Sequence, residues 1–116
     1  MNRSAAGAAG ESTAVDFLKK KKYRILRRNY RFGRGEIDIV AEDGKVIVFV
    51  EVKVRSSGSF GAPEDAISGM KQRALRSAAQ GYIYQYQCED RECRFDIVAI
   101  DTSGAALVIR HMEDAF

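Results

Sequence analysis

The chain has 116 residues, the size of one ordinary domain, and a chain this long can bury about two thirds of its unfolded surface in a core. Hydrophobic residues make up 46% and charged residues 30%, the balance of a globular protein, with a net charge of only +3. No apolar run approaches the roughly 20 residues a membrane span needs, and Arg3 is not followed by an apolar stretch, so no membrane role, no secretory leader and a cytoplasmic location are expected.

Residues 1–9 are small and Gly/Ala-rich and read as a flexible tail ahead of one domain covering 10–116. From about Ala5 to Lys21, however, the spacing also suits a helix. Glu11, Ala14, Val15 and Leu18 recur at helical intervals and form one face that is apolar apart from Glu11. The following run, Lys19 to Arg34, holds nine basic residues and no acid, with Tyr23, Tyr30 and Phe32 interleaved. Such a strip suits phosphate contacts, where counterion release supplies affinity. A solvated surface, with Lys19 to Lys22 placed favourably at a helix C-terminus, is the plainer alternative.

Tyr23 to Phe32 reads as a strand closed by a turn at Gly33-Arg34-Gly35. Glu36 to Glu42 and Lys45 to Val54 read as two more strands joined by Asp43-Gly44, a strong hairpin signal. Val46 to Val50 is apolar on both faces, as in a central strand covered on both sides. A Ser/Gly-rich loop follows from Arg55 to Ala62, and Pro63 with Glu64 and Asp65 marks a helix start. That helix would turn Ile67, Met70, Ala74 and Ala78 inward and end near Gly81 or in the tyrosines beyond. Arg94 to Ile100 and Ala106 to His111 complete an α-β-β-β-α-β-β order, which implies an α/β sandwich with a central mixed sheet flanked by helices.

The chemistry concentrates on the second and third strands. With Asp43-Gly44 as a two-residue turn, Glu36 falls opposite Glu51 and Asp38 opposite Phe49. Glu36, Asp38, Glu51 and Lys53 then emerge on one face, with Asp38 and Glu51 as diagonal neighbours about 7–8 Å apart. Converging carboxylates repel unless a counter-charge is present, and a divalent cation such as Mg²⁺ supplies one. Glu11 offers a third carboxylate. Lys53 stands where it could position an attacking water and stabilise charge on a phosphorane. The plainer alternative is the wet face of a half-exposed sheet. Lys71 and Arg73 suit a phosphate path or a solvated helix face, Asp96 a structural hydrogen bond, and Tyr82, Tyr84 and Tyr86 packing rather than base stacking. Cys88, Cys93 and His111 do not add up to a zinc site, and both thiols are expected to be reduced.

Gly35-Glu36-Ile37-Asp38-Ile39-Val40 followed by Val48-Phe49-Val50-Glu51-Val52-Lys53-Val54-Arg55 resembles the YraN-like family of bacterial proteins, itself similar to Holliday junction resolvases of the PD-(D/E)XK nuclease superfamily. The resemblance extends to Gly10-Glu11 with Ala14 and Leu18, Arg28-Asn29-Tyr30-Arg31, Phe60-Gly61, Lys71 and Phe95-Asp96. It implies a restriction-endonuclease-like sheet, catalytic Asp38, Glu51 and Lys53, Mg²⁺ (or Mn²⁺) held by Glu11, Asp38 and Glu51, and often a homodimer. Taken with the basic strip, it makes Arg27, Arg28, Arg31, Arg34, Arg55, Lys71 and Arg73 the expected nucleic-acid contacts, with DNA preferred over RNA. Three functions remain open on sequence: an endonuclease for structured or branched DNA, a nucleic-acid-binding protein that does not cut, and an interaction module whose acids are structural.

Overall fold

The structure is a computed structural model that describes residues 5–55 and 67–116. Helix α1 (Ala5–Lys20) is followed by strands β1 (Arg24–Phe32), β2 (Gly35–Asp43) and β3 (Val46–Arg55), helix α2 (Gly69–Gln85), and strands β4 (Cys93–Asp101) and β5 (Val108–Met112). The strands form one sheet in the order β1-β2-β3-β4-β5. Among the described strands only β3 and β4 run parallel to each other, so the sheet is mixed, as expected.

Among the described residues, each face of the sheet carries one helix and one core. The stripe Ala14, Val15 and Leu18 of α1 is buried against Ile39, Ala41, Val48, Val50, Val98 and Ile100. Leu75, Ala78, Ala79 and Tyr82 of α2 pack on the opposite face against Tyr30, Val40, Ile47 and Phe49. The double-sided apolar run of β3 thus feeds both cores, which is why its polar end is drawn into the interior.

Several expectations are corrected. The β2–β3 turn is Gly44-Lys45 and not Asp43-Gly44, because Asp43 faces Val46 and Ile39 faces Val50. Gly44 has a φ of 61° and Lys45 does not share the left-handed region, so glycine stands at the first central position, as a type II′ turn requires. The register is displaced by two residues, a step that keeps the side chains of the paired stretch, Ile39 to Asp43 and Val46 to Val50, on their expected faces. Glu36 therefore does not stand opposite Glu51; its ladder partner is Arg31 of β1. Helix α2 starts at Gly69 with Ser68 as N-cap, the Ser68 hydroxyl accepting from the Lys71 N–H at 3.1 Å. Ile67 precedes the helix, and Met70 is 74% exposed rather than buried. The expected loop through Ala62, the helix start at Pro63 to Asp65, and Phe60-Gly61 lie outside the described residues apart from Arg55, which ends β3. Helix α1 begins at Ala5, where its spacing placed it.

Candidate active site

The start of β2, the end of β1 and the end of β3 meet at one end of the sheet. There the regular alternation of β2 fails. Ile37 and Ile39, two residues apart, belong to opposite cores. The β2–β3 ladder stops at Ile39↔Val50, and two residues on along β3 the Val52 N–H donates to Asp38 Oδ2 at 2.8 Å. A side-chain carboxylate thus takes the place of a backbone carbonyl at the point where the two strands part. Across the other ladder, Asn29 lies between the pairs Arg28↔Ile39 and Tyr30↔Ile37 with a φ of 56°. Left-handed backbone is rare outside glycine and commonest with Asn, so β1 turns at the same level as β2. A period-two pattern carries no trace of this fork, and the Asn inside a strand-like run is its one visible signal in the sequence.

The fork brings the acids together. Glu51 is 5% exposed and Glu11, reaching in from α1, 2%. Burial first, then the charge of Glu51, push the Asp38 carboxyl up to about 7; the Val52 N–H opposes the rise, and Glu11 adds to it. The bases are close by. Lys71 Nζ is 3.3 Å and Lys53 Nζ 3.6 Å from the same oxygen, Oε2 of Glu51. Arg28 Nη2 stands 3.8 Å from Glu11 Oε1 and 3.3 Å from the Ser12 hydroxyl, and Arg31 Nε 4.0 Å from Glu36 Oε2.

Beside the acids a recess of about 230 Å³ is lined by Arg34, Glu36, Asp38, Lys71 and Ala74, among others. Gly35 forms its floor at a close approach. A Cβ there would stand 2.3 Å from the Ala74 carbonyl oxygen, so glycine lets the β1–β2 hairpin lie against α2 and sets Arg34 beside Lys71.

The remaining expected contacts are spread out. Arg27 turns to the Tyr86 hydroxyl and the Tyr30 ring. Arg55 is the last residue of β3, two beyond Lys53 and opposite Asp101, and Arg73 lies two residues past Lys71 on exposed α2 surface. The strip Lys19 to Arg34 is not one surface. Arg24 lies opposite Glu42 at the hairpin end of the sheet, whereas Arg28 and Arg31 border the acids at the other.

Asp96 does not join the cluster. It is fully buried and accepts from Arg94 through both oxygens at 2.9 Å, from His111 Nε2 at 2.8 Å and from the Asp114 N–H at 3.0 Å. Burial would raise its pKa, but these donors outweigh it and hold the carboxyl below its usual range. Lys21 Nζ lies 2.7 Å from His111 Nδ1, and an ammonium can only donate, so the proton shared with Asp96 sits on Nε2. Asp96 is structural, as its sequence context suggested. Tyr82 is core, whereas Tyr84 and Tyr86 are exposed, and Cys88 and Cys93 are free thiols.

The chain matches the family described as "Uncharacterised protein family UPF0102" over residues 10–100. It belongs to the UPF0102 family. Its relatives include UPF0102 proteins of Geobacter metallireducens, 45% identical over all of this chain and 95% of that protein, and of Caldicellulosiruptor saccharolyticus, 42% identical over the whole of both. A third, from Alkaliphilus oremlandii, is 46% identical over 95% of this chain and 96% of its own length. The UPF0102 match begins at Gly10, immediately before Glu11, and takes in every acid and base of the fork. No helix among the described residues is long and apolar enough to cross a membrane.

Proposed function

We propose that this UPF0102 protein is a metal-dependent phosphodiester hydrolase acting on nucleic acid, with structured or branched DNA as its substrate. The observation that carries the reading is the fork at Asp38. Three acids are gathered there from three elements, two of them buried, and Asp38 is held near neutrality in its pKa by burial and by Glu51.

The donor set suits Mg²⁺ as an ion that takes one or two carboxylates and fills its other positions with water and substrate phosphate. Among the described residues no three His, Cys, Asp or Glu side chains stand arranged to hold a metal between them, so the fit rests on the pair Asp38 and Glu51, with Glu11 as the third acid. Bound there, Mg²⁺ would lower the pKa of a water and polarise a phosphoryl oxygen. The protein's own part is to keep Asp38 fixed by Val52, to hold Glu51 between two ammonium groups, and to set positive charge where negative charge develops on phosphorus.

The test is a panel of four-way junction, flapped, linear duplex and single-stranded substrates with Mg²⁺ or Mn²⁺. Cleavage by the parent that is abolished in Lys53→Ala and Asp38→Asn is the expected result. An absence of cleavage alongside tight binding would favour a non-cutting nucleic-acid binder. Neither cleavage nor binding would leave an interaction module.

A further inference from the structure

Two lysines serve one carboxylate oxygen, from different elements and with different surroundings. Lys53 follows Glu51 on β3, and its side chain is 26% exposed; Lys71 comes from the first turn of α2, and its side chain is 47% exposed. The recess beside the acids is walled by Lys71 and Arg34 and not by Lys53. Its volume of about 230 Å³ equals roughly seven waters, ample for one phosphate group. Of the two ammonium groups, that of Lys71 is the more exposed and the one that lines the recess, beside Arg34 and the acids Glu36 and Asp38.

From this placement we infer that Lys71, with Arg34 beside it, is the lysine that contacts the substrate phosphate, whereas Lys53 acts inward, holding Glu51 on the water side. The inference rests on the nucleic-acid reading above and assigns the two ammonium groups separate tasks within it. Lys71 is set for its task by the Ser68 cap that fixes its N–H and by the bare surface at Ala74, which admits the hairpin carrying Arg34. Neither feature touches Lys53.

A short single-stranded oligonucleotide, with Ca²⁺ in place of Mg²⁺ to prevent cutting, gives a readout independent of turnover. Affinity is measured from low to moderate salt for the parent, Lys71→Gln, Lys71→Arg, Arg34→Gln and Lys53→Gln. For a single strand each phosphate contact contributes about 0.7 to the slope of log affinity against log salt. Lys71→Gln and Arg34→Gln should each flatten the slope by about that amount and weaken binding several-fold, Lys71→Arg should restore it, and Lys53→Gln should keep the parental slope. Thermal melts of each variant confirm that the exposed Lys71 and Arg34 can be changed without unfolding. A parental slope in Lys71→Gln, or an equal loss in Lys53→Gln, overturns the division of labour while leaving the nuclease reading intact. A parent without salt-dependent binding to either the single strand or a four-way junction overturns both.

Discussion

Asp38 and Asp96 are two partly or wholly buried aspartates of one sheet with opposite consequences for stability. Asp38 has its pKa raised from 3.8 to about 7, so between those values the folded state binds more protons than the unfolded state. Its contribution is therefore present in full below about pH 4 and lost as pH rises through about 7. Asp38→Asn keeps an acceptor for Val52 and removes that penalty, so at pH 7.5 it should be neutral to stabilising, by up to roughly 4 kcal/mol. Melting curves of parent and variant from pH 4 to 8 should converge at the acid end. Mg²⁺ at about 100 times its Kd should stabilise the parent by about 2.7 kcal/mol and Asp38→Asn by little. A variant less stable than its parent in chelator, with no metal shift in either, would remove the metal site. Asp96 has its pKa lowered, so its contribution is present above the usual carboxyl range and lost as pH falls through the folded value. Removing its bidentate partner, as in Arg94→Ala, should cost about 3–5 kcal/mol in chemical denaturation at pH 7, because a buried carboxylate loses its main counter-charge. A cost below about 1 kcal/mol would show that His111 and the Asp114 N–H suffice.

The elements were largely legible from residue pattern, and the departures share one cause: contacts between elements overrode local signals. The helical stripe of α1 and the two-faced run of β3 are buried as the periodicity implied. The hairpin turn moved by one residue because Gly44 takes the first central position; the two-residue register shift preserves the faces as far as Ile39, and beyond it the fork brings the acids together. Met70 looked inward by spacing, but α2 begins only at Gly69 and its buried face is set further along, by Leu75, Ala78, Ala79 and Tyr82. The fork was illegible, since nothing in a period-two pattern says that a side chain will replace a carbonyl in a ladder. Gly35 tests the element packing. Gly35→Ala places a methyl against the Ala74 carbonyl, which is backbone and cannot turn aside. It should destabilise by about 1–3 kcal/mol and move α2, and with it Lys71, away from the acids. A crystal structure of Gly35→Ala with α2 unmoved would show that the helix does not depend on this contact.

On the scale of the whole molecule, a basic strip continuous in sequence is divided in space. Its first part, Lys19 to Arg24, lies where α1 leads into β1, at the Glu42 end of the sheet, and Lys21 there is engaged with His111. Its second part, from Arg28 to Arg34, borders the acids. Composition and spacing could find the strip but not its division, which depends on the length of β1. Replacing Arg28, Arg31 and Arg34 with Ser should weaken oligonucleotide binding strongly and without regard to base sequence, as loss of phosphate contacts does. The same replacement of Lys19, Lys20 and Lys22 should have a smaller effect at matched ionic strength. Equal losses in gel-shift titrations would mean that nucleic acid wraps both ends of the sheet.

The bond from the Val52 N–H to Asp38 Oδ2 also makes one backbone amide a spectator of the site. Its neighbours in β3 are closed by backbone partners that neither ionise nor bind ions, whereas its own acceptor can do both. Amide hydrogen exchange and the proton chemical shift at Val52 should therefore follow the ionisation of Asp38, and respond to added Mg²⁺, more than those at Val50. A single residue in an ordinary NMR spectrum would then report proton and metal occupancy directly, without a substrate in hand.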